Sequence, residues 1–171
     1  MQAHNSRARF EQVVLPHLDA AYNLARWLTR NAHDAEGVVQ EAYVRAWKFF
    51  GSFHGGESRA WLLTIVRHTC YTWLQQHRAH DLTTVFDEAH HSVEDTTANP
   101  ETLLSQRAHQ QTLQQALEAL PVEFREVVVL RELEGLSYKE IAAITEVPLG
   151  TVMSRLARAR KRLQQGLAAL A

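Results

Sequence analysis

The stretch GLSYKEIAAITEVPLGTVMSRLARARKRL, from Gly135 to Leu163, predicts two helices separated by a tight turn. Ser137 and Glu140 have the spacing of a capping box, in which each side chain accepts a backbone N–H at the start of a helix. The segment 145–150 interrupts that helix, and Pro148 is suited to opening the next one because its ring fixes φ near the helical value. We therefore expect a helix-turn-helix.

The second helix of this pair combines an apolar face with a row of cations. Its apolar face consists of Val152, Leu156, Ala159 and Leu163. We place a polar group on the opposite face: Thr151, Ser154, Arg155, Arg158 and Arg162. From Leu149 onward there are five cations and no carboxylate. Hydroxyls near a helix N-terminus and arginines along the helix suit the DNA major groove. The alternative is a solvated basic helix at a chain end. The turn, the capping box and the apolar face all argue against it.

The residues before this motif complete a second helical domain, which we place at residues 106–171. Pro121 stands where a helix can start, and Phe124, Val127 and Val128 give that helix a core face. Gly135 is suited to ending it, because glycine adopts the left-handed conformation that commonly follows a helix.

The first part of the chain also has helical periodicity, and no alternating strand pattern of useful length occurs in it. Apolar residues recur at helical spacing on both sides of Pro16, which predicts a kink or a break. Asp34 is a plausible N-cap for a long helix through Phe50. After a glycine loop, residues 51–56, Ser58 can cap a third helix to about His77. These elements predict a first helical domain over residues 7–78.

Residues 79–105 differ in composition from both flanking parts. Residues 81–105 hold six carboxylates and neither Lys nor Arg, with few sizeable apolar side chains. Such a segment cannot bury much surface, so we expect a linker. The predicted fold is all-α, with two small helical domains joined by an acidic linker.

Composition argues against a disulfide-linked secreted protein and against a membrane protein, but not against a protein that binds nucleic acid. The net charge of −1 hides a segregated distribution, since residues 1–80 hold nine Lys and Arg against six carboxylates. Cys70 is the only cysteine, so no intrachain disulfide can form. Without a signal-peptide pattern or a membrane-length apolar run, we expect a soluble, cytoplasmic protein.

The sequence contains no motif that predicts a catalytic or a metal-binding function. It shows no nucleophile elbow, phosphate loop or metallohydrolase motif, so we expect neither an enzyme nor a cofactor. His77 and His80 have helical ligand spacing, and His90 and His91 lie in an acidic stretch. No cysteine pair supports a zinc site, and we do not predict a metal.

Several stretches together resemble the extracytoplasmic-function (ECF) sigma factors. DAEGVVQEAYVRAW, residues 34–47, and FHGGESRAWLLTIVR, residues 53–67, resemble conserved region 2 of that family. LPVEFREVVVLR, residues 120–131, GLSYKEIA, residues 135–142, and GTVMSRLARAR, residues 150–160, resemble region 4. The match covers most of the chain outside residues 79–105, in the family's order and spacing.

The resemblance implies a specificity subunit of bacterial RNA polymerase. In that family the first domain docks on the clamp helices of the core enzyme and opens the minus-ten promoter element. The second domain reads the minus-thirty-five element beside the flap of the core, and the linker threads the core near its active site. An anti-sigma factor is a common further partner. The sequence departs from the family pattern at four positions: Gly37, His68, Thr72 and Met153.

Three groups of residues carry the implied roles. Unpaired bases are held by aromatic stacking and by cations on the backbone, which points to Phe53, His54, Arg59, Arg67, His68 and Tyr71 for minus-ten opening. The loop 51–58 matches the family loop that captures a flipped base. The recognition helix supplies Thr151, Ser154, Arg155, Arg158 and Arg162 for the minus-thirty-five element. An acidic, polar patch for core docking comprises Asp34, Glu36, Gln40 and Glu41.

Some of these residues also have a purely structural explanation. Trp61 and Ile65 fit a hydrophobic core as well as a base-binding surface. Acids at the start of a helix are also favoured by its dipole, without any partner. At the level of the whole chain, the rivals are a free-standing helix-turn-helix regulator and an anti-sigma or adaptor protein. The first leaves the acidic patch unused, and the second leaves the basic helix unexplained.

Overall fold

A computed structural model describes residues 2–81 and 100–170, and every regular element in these two ranges is helical. The first range contains α1 Gln2–Val14, α2 Leu18–Thr29, α3 Ala32–Phe49 and α4 Ser58–Asp81. The second contains α5 Pro100–Glu118, α6 Val122–Val128, α7 Tyr138–Thr145 and α8 Leu149–Leu170. The predicted all-α architecture is confirmed.

Helices α2, α3 and α4 pack on one another and form the centre of the first half. Their buried face includes Leu24, Leu28, Val38 and Leu62, each at most 2% exposed. Pro16 lies in a 3₁₀ turn, Leu15–His17, which separates α1 from α2. The break predicted at this proline is therefore confirmed, because its ring and missing N–H are poorly tolerated inside an α-helix.

The N-termini of α3 and α4 differ from the sequence-based prediction. Asn31, not Asp34, caps α3, and its side-chain oxygen accepts the backbone N–H of Asp34 at 3.0 Å. Asp34 lies in the first helical turn, where its carboxylate is favoured by the helix dipole. Ser58 is the first residue of α4, and its hydroxyl pairs with His17 Nε2 at 2.9 Å. The assignment of Asp34 failed because Asn and Asp are similarly good N-caps, whereas Ser58 lies one residue inside the helix that it was expected to cap.

Two helices extend into the predicted linker over residues 79–105. Helix α4 continues to Asp81, and α5 begins at Pro100. The rest of that linker, residues 82–99, lies outside the described residues.

The second half confirms the predicted helix-turn-helix. Ser137 Oγ accepts the Glu140 N–H and Glu140 Oε1 accepts the Ser137 N–H, each at 3.1 Å. Glu146 ends α7 in the left-handed region, with φ 58°. Gly135 follows a π-helical turn, Val129–Leu133, and has φ +67°, a conformation that glycine adopts without steric cost.

The two halves pack directly on each other. Helix α2 contacts α6, and α4 contacts α7. A buried arginine joins the first contact, because Arg125 on α6 donates to the Leu28 carbonyl on α2 at 3.3 Å and to the Leu120 carbonyl at 2.8 Å. Burial lowers the pKa of Arg125 to about 10. The packing of α7 on α4 places the helix-turn-helix against the first half.

Candidate nucleic-acid interface

Helix α8 presents its polar residues beside its buried face. Val152, Leu156 and Ala159 are buried, as predicted. Consecutive helical residues are about 100° apart, so Arg155 and Arg158, which immediately precede buried residues, flank the apolar face. The prediction that the two sets are opposite is therefore wrong.

The five polar residues of α8 have different surroundings. Ser154 and Arg158 are exposed, and the Ser154 hydroxyl donates to the Thr151 carbonyl at 3.1 Å. Arg155 is half-buried. The guanidinium of Arg162 lies 5.1 Å from the ring centre of Phe124. Of the three arginines, Arg158 is therefore the one that is exposed without lying over an aromatic ring.

The glycine loop lies at the end of an aromatic cluster. The ring of Phe53 is half-buried, 6.1 Å from that of Phe50 and 5.1 Å from that of Trp61 between ring centres. His54 is exposed, and Gly55 beside it has φ +79°. Phe53 therefore contributes packing as well as a surface, whereas His54 is available to a ligand.

A cavity of about 300 Å³ opens between α3 and α4 next to this loop. Its lining combines aromatic, apolar and cationic side chains: Arg45, Phe49, Ser52, Trp61, Ile65 and His68. The volume lies at the lower limit typical of ligand sites. Trp61 and Ile65 pack on the core and line the cavity, so the two readings of these residues are compatible.

Sequence reasoning missed Arg45 and Ser52 in this cavity. Arg45 donates to Glu41 at 2.9 Å and lies 3.5 Å from the Thr69 hydroxyl on α4. Ser52 donates to the Phe49 carbonyl at 2.6 Å. The four-residue spacing of Glu41 and Arg45 gave a signal for a helical ion pair, but it did not indicate that the arginine bordered a cavity.

Arg67 and Tyr71 of α4 form a buried cluster with Glu126 of α6. The Arg67 guanidinium donates from Nε to Glu126 Oε2 at 2.8 Å and from Nη2 to Oε1 at 3.2 Å. It also lies 4.4 Å from the ring centre of Tyr71. Burial raises the pKa of Glu126, and the hydrogen bonds from Arg67 oppose that rise. Burial likewise raises the pKa of Tyr71.

The other cations predicted on α4 also meet the second half of the chain. Arg59 Nη2 contacts the backbone carbonyl of Glu134 and lies 3.6 Å from its carboxylate. His68 Nε2 lies 3.1 Å from Glu146 Oε1. The structure thus brings Arg59, Arg67 and His68 into contact with the second half of the chain, whereas Phe53 and His54 lie at the loop.

Comparison with known proteins assigns the family. Residues 13–80 match the family model "Sigma-70 region 2", and residues 110–163 match "Sigma-70, region 4". The ECF RNA polymerase sigma-E factor of Escherichia coli is 36% identical over 137 residues, which cover 76% of this chain and 72% of that protein. This chain belongs to the ECF sigma factors of the sigma-70 family.

Other relatives of this sigma factor agree. The RNA polymerase sigma-H factor of Pseudomonas aeruginosa is 32% identical, with 98% of this chain and 90% of that protein covered. The ECF sigma factor SigE of Mycolicibacterium smegmatis is 36% identical over 93% of this chain. The chain spans 62% of the length of that relative.

Solved structures extend the similarity to the arrangement of helices. The sigma factor RpoE of Bartonella quintana, solved in complex with the anti-sigma factor NepR, superposes with a TM-score of 0.75. It is 32% identical, and the match covers 94% of this chain and 97% of that one. CnrH, solved with the cytosolic domain of CnrY, gives a TM-score of 0.67 at 25% identity, with coverages of 95% and 90%.

The predicted docking patch of this sigma factor lies on the outer surface of α3. Glu36, Gln40 and Glu41 are exposed, and Asp34 is half-buried. Sequence reasoning missed that this polar patch continues into exposed apolar side chains, since Val44 is 68% and Trp47 48% exposed. Large exposed apolar residues beside charged ones are typical of protein-binding surfaces.

Neither a metal centre nor a membrane segment is found in the described parts of the chain. Within residues 2–81 and 100–170, no three His, Cys, Asp or Glu side chains are grouped so as to hold a metal ion. His77 instead lies 2.8 Å from the Trp73 carbonyl and stacks on the Trp73 ring. No helix in those ranges is long and apolar enough to cross a membrane.

Proposed function

We propose that this sigma factor directs transcription initiation at a specific set of promoters by binding core RNA polymerase and by recognising and melting promoter DNA. One observation carries the proposal. The chain joins a helix-turn-helix with an exposed cationic flank to a helical bundle that has an aromatic cavity bordered by cations. The first feature suits duplex DNA and the second suits unpaired bases. The polymerase performs the chemistry, in the cytoplasm.

The domain roles follow from this division. Residues 7–78 dock on the core and open the minus-ten element, and residues 106–171 read the minus-thirty-five element. Residues 79–105 connect the two. RpoE and CnrH, the structural neighbours, were each solved with a protein partner, and for RpoE that partner is an anti-sigma factor. We infer that an anti-sigma factor also regulates this chain.

Docking on the core uses the outer surface of α3. Its carboxylates attract a basic partner helix, and the adjoining Val44 and Trp47 supply apolar contact. Gly37 lies on the same exposed surface, and nothing lies within 4 Å of a Cβ built there. A partner helix can therefore approach closely at this point. Clamp helices of the polymerase core fit this surface, and the flap is the contact for the second domain.

Melting uses the cavity between α3 and α4. A base that leaves the duplex can stack on Trp61 or Phe49 while its phosphates meet cations at the rim. Such stacking contributes about 1–3 kcal/mol per base. His54 and Phe53 at the loop extend this surface. We infer the same role for Arg59, Arg67, His68 and Tyr71 on α4, where a DNA strand would have to replace the contacts with Glu134, Glu126 and Glu146.

Recognition of the minus-thirty-five element rests on α8. We expect Arg158→Ala to change base preference at one or two positions, because an arginine that reads a guanine gives about 1–3 kcal/mol of discrimination. If Arg158 contacts phosphate instead, the variant weakens all sequences and lowers the salt slope by about one unit. Transcription by the holoenzyme from a library of minus-thirty-five variants measures both effects.

Arg160→Ala is the matched control on the same helix. Arg160 lies on another side of α8 and pairs with Glu132 at 2.8 Å. This ion pair is about half exposed at both ends, so its loss costs about 0–1 kcal/mol. If the control alters promoter preference as much as Arg158→Ala does, the recognition surface of α8 is misassigned.

Footprinting distinguishes this function from that of a free-standing regulator. A single helix-turn-helix makes few base contacts, so we expect the isolated chain to protect no specific sequence. The holoenzyme is expected to protect both the minus-ten and the minus-thirty-five elements of the same fragment. Tight, sequence-specific protection by the isolated chain would instead favour the free-standing regulator.

A further inference from the structure

Successive turns of α8 carry apolar side chains that are exposed to solvent. Leu149 is 49% exposed and Met153 is 51% exposed. Ala157, one turn further along, is also exposed. Residues four positions apart lie on the same side of a helix, so these three side chains form a line along α8, which we call the apolar row. Because none of the three belongs to the buried cluster of the described chain, core packing does not explain the row.

The apolar row borders the polar surface that we assign to the minus-thirty-five element. Ser154 directly follows Met153, and the helical step of about 100° places its exposed side chain beside the row. Arg158 is exposed one turn after Ser154. From Leu149 to the end of α8 the sequence holds five cations and no carboxylate. This charge favours a DNA duplex as the occupant of the whole surface, including the apolar row.

The major groove of DNA presents one apolar group at the edges of its bases, the C5 methyl group of thymine. The other groups there are hydrogen-bond donors and acceptors. In helix-turn-helix proteins, residues near the N-terminus of the second helix contact the base edges, and Met153 is the fifth residue of α8. Its thioether is flexible and polarisable, so it adapts to an irregular apolar surface. A thioether has no hydrogen to donate to a guanine.

We propose that Met153 packs against the C5 methyl group of a thymine and thereby selects a T·A pair at one position of the minus-thirty-five element. Leu149, one turn nearer the start of the helix, shields this contact from water. Ser154 and Arg158 meet the neighbouring polar groups of the duplex. The inference rests on the proposed function, because it assigns a base preference to the recognition helix.

Replacing thymine with uracil tests the contact, because uracil lacks the methyl group and keeps the hydrogen-bonding groups of thymine. The duplex carries a promoter that the wild-type holoenzyme selects from random sequence. Each thymine of its minus-thirty-five element, on either strand, is replaced in turn. Competition for a limiting amount of holoenzyme at matched salt measures the relative affinity. We expect one replacement to weaken wild-type binding about three- to fivefold, since one methyl group is no longer buried.

Three variants show whether Met153 is the source of this sensitivity. With Met153→Ala the same replacement should have no effect, because the apolar contact is already absent. Met153→Leu should keep most of the sensitivity, since it retains a large apolar side chain. Arg160→Ala is the matched control on the same helix and removes an exposed ion pair with Glu132, so it should keep the full sensitivity. Met153 is half exposed, so truncating it should leave the fold intact.

A change of base preference gives a second measurement. Met153→Arg replaces the thioether with a guanidinium, which can donate to both acceptors of guanine. In a library randomised across the minus-thirty-five element, the share of thymine at the sensitive position should fall about threefold or more relative to wild type. Comparing shares within one library removes the effect of the added positive charge on overall affinity. An unchanged share of thymine would contradict the inference.

Equal uracil effects in the wild-type and Met153→Ala holoenzymes at every thymine would overturn the inference, as would a selected element without thymine. If Met153→Ala weakens binding of the chain to core polymerase while no uracil replacement changes affinity, the apolar row docks on the enzyme and the inference is wrong. In each of these cases the holoenzyme still selects promoters, and the proposed function stands. A holoenzyme that selects no promoter would refute the proposed function, and the methyl contact with it.

Discussion

Replacing Leu156 with alanine is expected to lower the free energy of unfolding by about 2–5 kcal/mol. Leu156 is 1% exposed and lies on α8, where it joins the core shared by α6, α7 and α8. Its truncation removes buried apolar surface and leaves a cavity, and both effects destabilise the helix-turn-helix. For a chain of this size, the midpoint of thermal unfolding should fall by about 2–4 °C per kcal/mol.

Met153→Ala provides the control for this prediction. Met153 is on the same helix, three residues earlier, but its side chain is 51% exposed. Its truncation is expected to change the free energy of unfolding by no more than about 0.5 kcal/mol. Urea denaturation of the two variants gives both values. Similar losses in the two would show that α8 does not pack through the face described here.

Filling the cavity between α3 and α4 is expected to block promoter melting without abolishing duplex binding. Ile65 is half-buried and lines the cavity, so Ile65→Trp places an indole where an unpaired base would stack. Loss of one stacked base at about 1–3 kcal/mol corresponds to roughly 5- to 150-fold fewer open complexes. Permanganate reactivity of unpaired thymines in the minus-ten element measures this quantity.

Ile65→Ala separates occupancy of the cavity from loss of packing. It enlarges the cavity, and it also disturbs the contacts of Ile65 with the core. We expect it to retain more open complex than Ile65→Trp at a matched thermal stability. If the enlarging variant melts promoters as poorly as the filling variant does, the cavity does not hold a base.

Local signals in the sequence predicted most of the helical boundaries in this chain. The capping box at Ser137 and Glu140, the break at Pro16 and the positive φ at Gly135 each depend on a few neighbouring residues. Such features are set by backbone geometry and by hydrogen bonds within one turn. The N-cap of α3 was misassigned because Asn31 and Asp34 are both good caps, and only the backbone shows which of them precedes the first turn.

Features that depend on distant residues were not predicted. Arg67 and Glu126 are separated by 59 positions, and no periodicity connects them. The cavity residue Arg45 was missed because its environment is created by the packing of α3 on α4. The π-helical turn at Val129–Leu133 likewise carries no composition that distinguishes it from an α-helix. Residues of the recognition helix were identified, but they were placed opposite the buried face although the 100° step between helical residues puts most of them beside it, as the half-burial of Thr151 and Arg155 agrees.

Run-off transcription with purified core polymerase tests whether this chain is a promoter-specificity subunit. The template carries a promoter selected from random sequence by the holoenzyme, and the controls are core alone and a template with its minus-ten element scrambled. A discrete transcript is expected only when this chain, the core and the intact promoter are all present. Transcripts of equal amount and start site with and without the chain would contradict the claim that it is a promoter-specificity subunit.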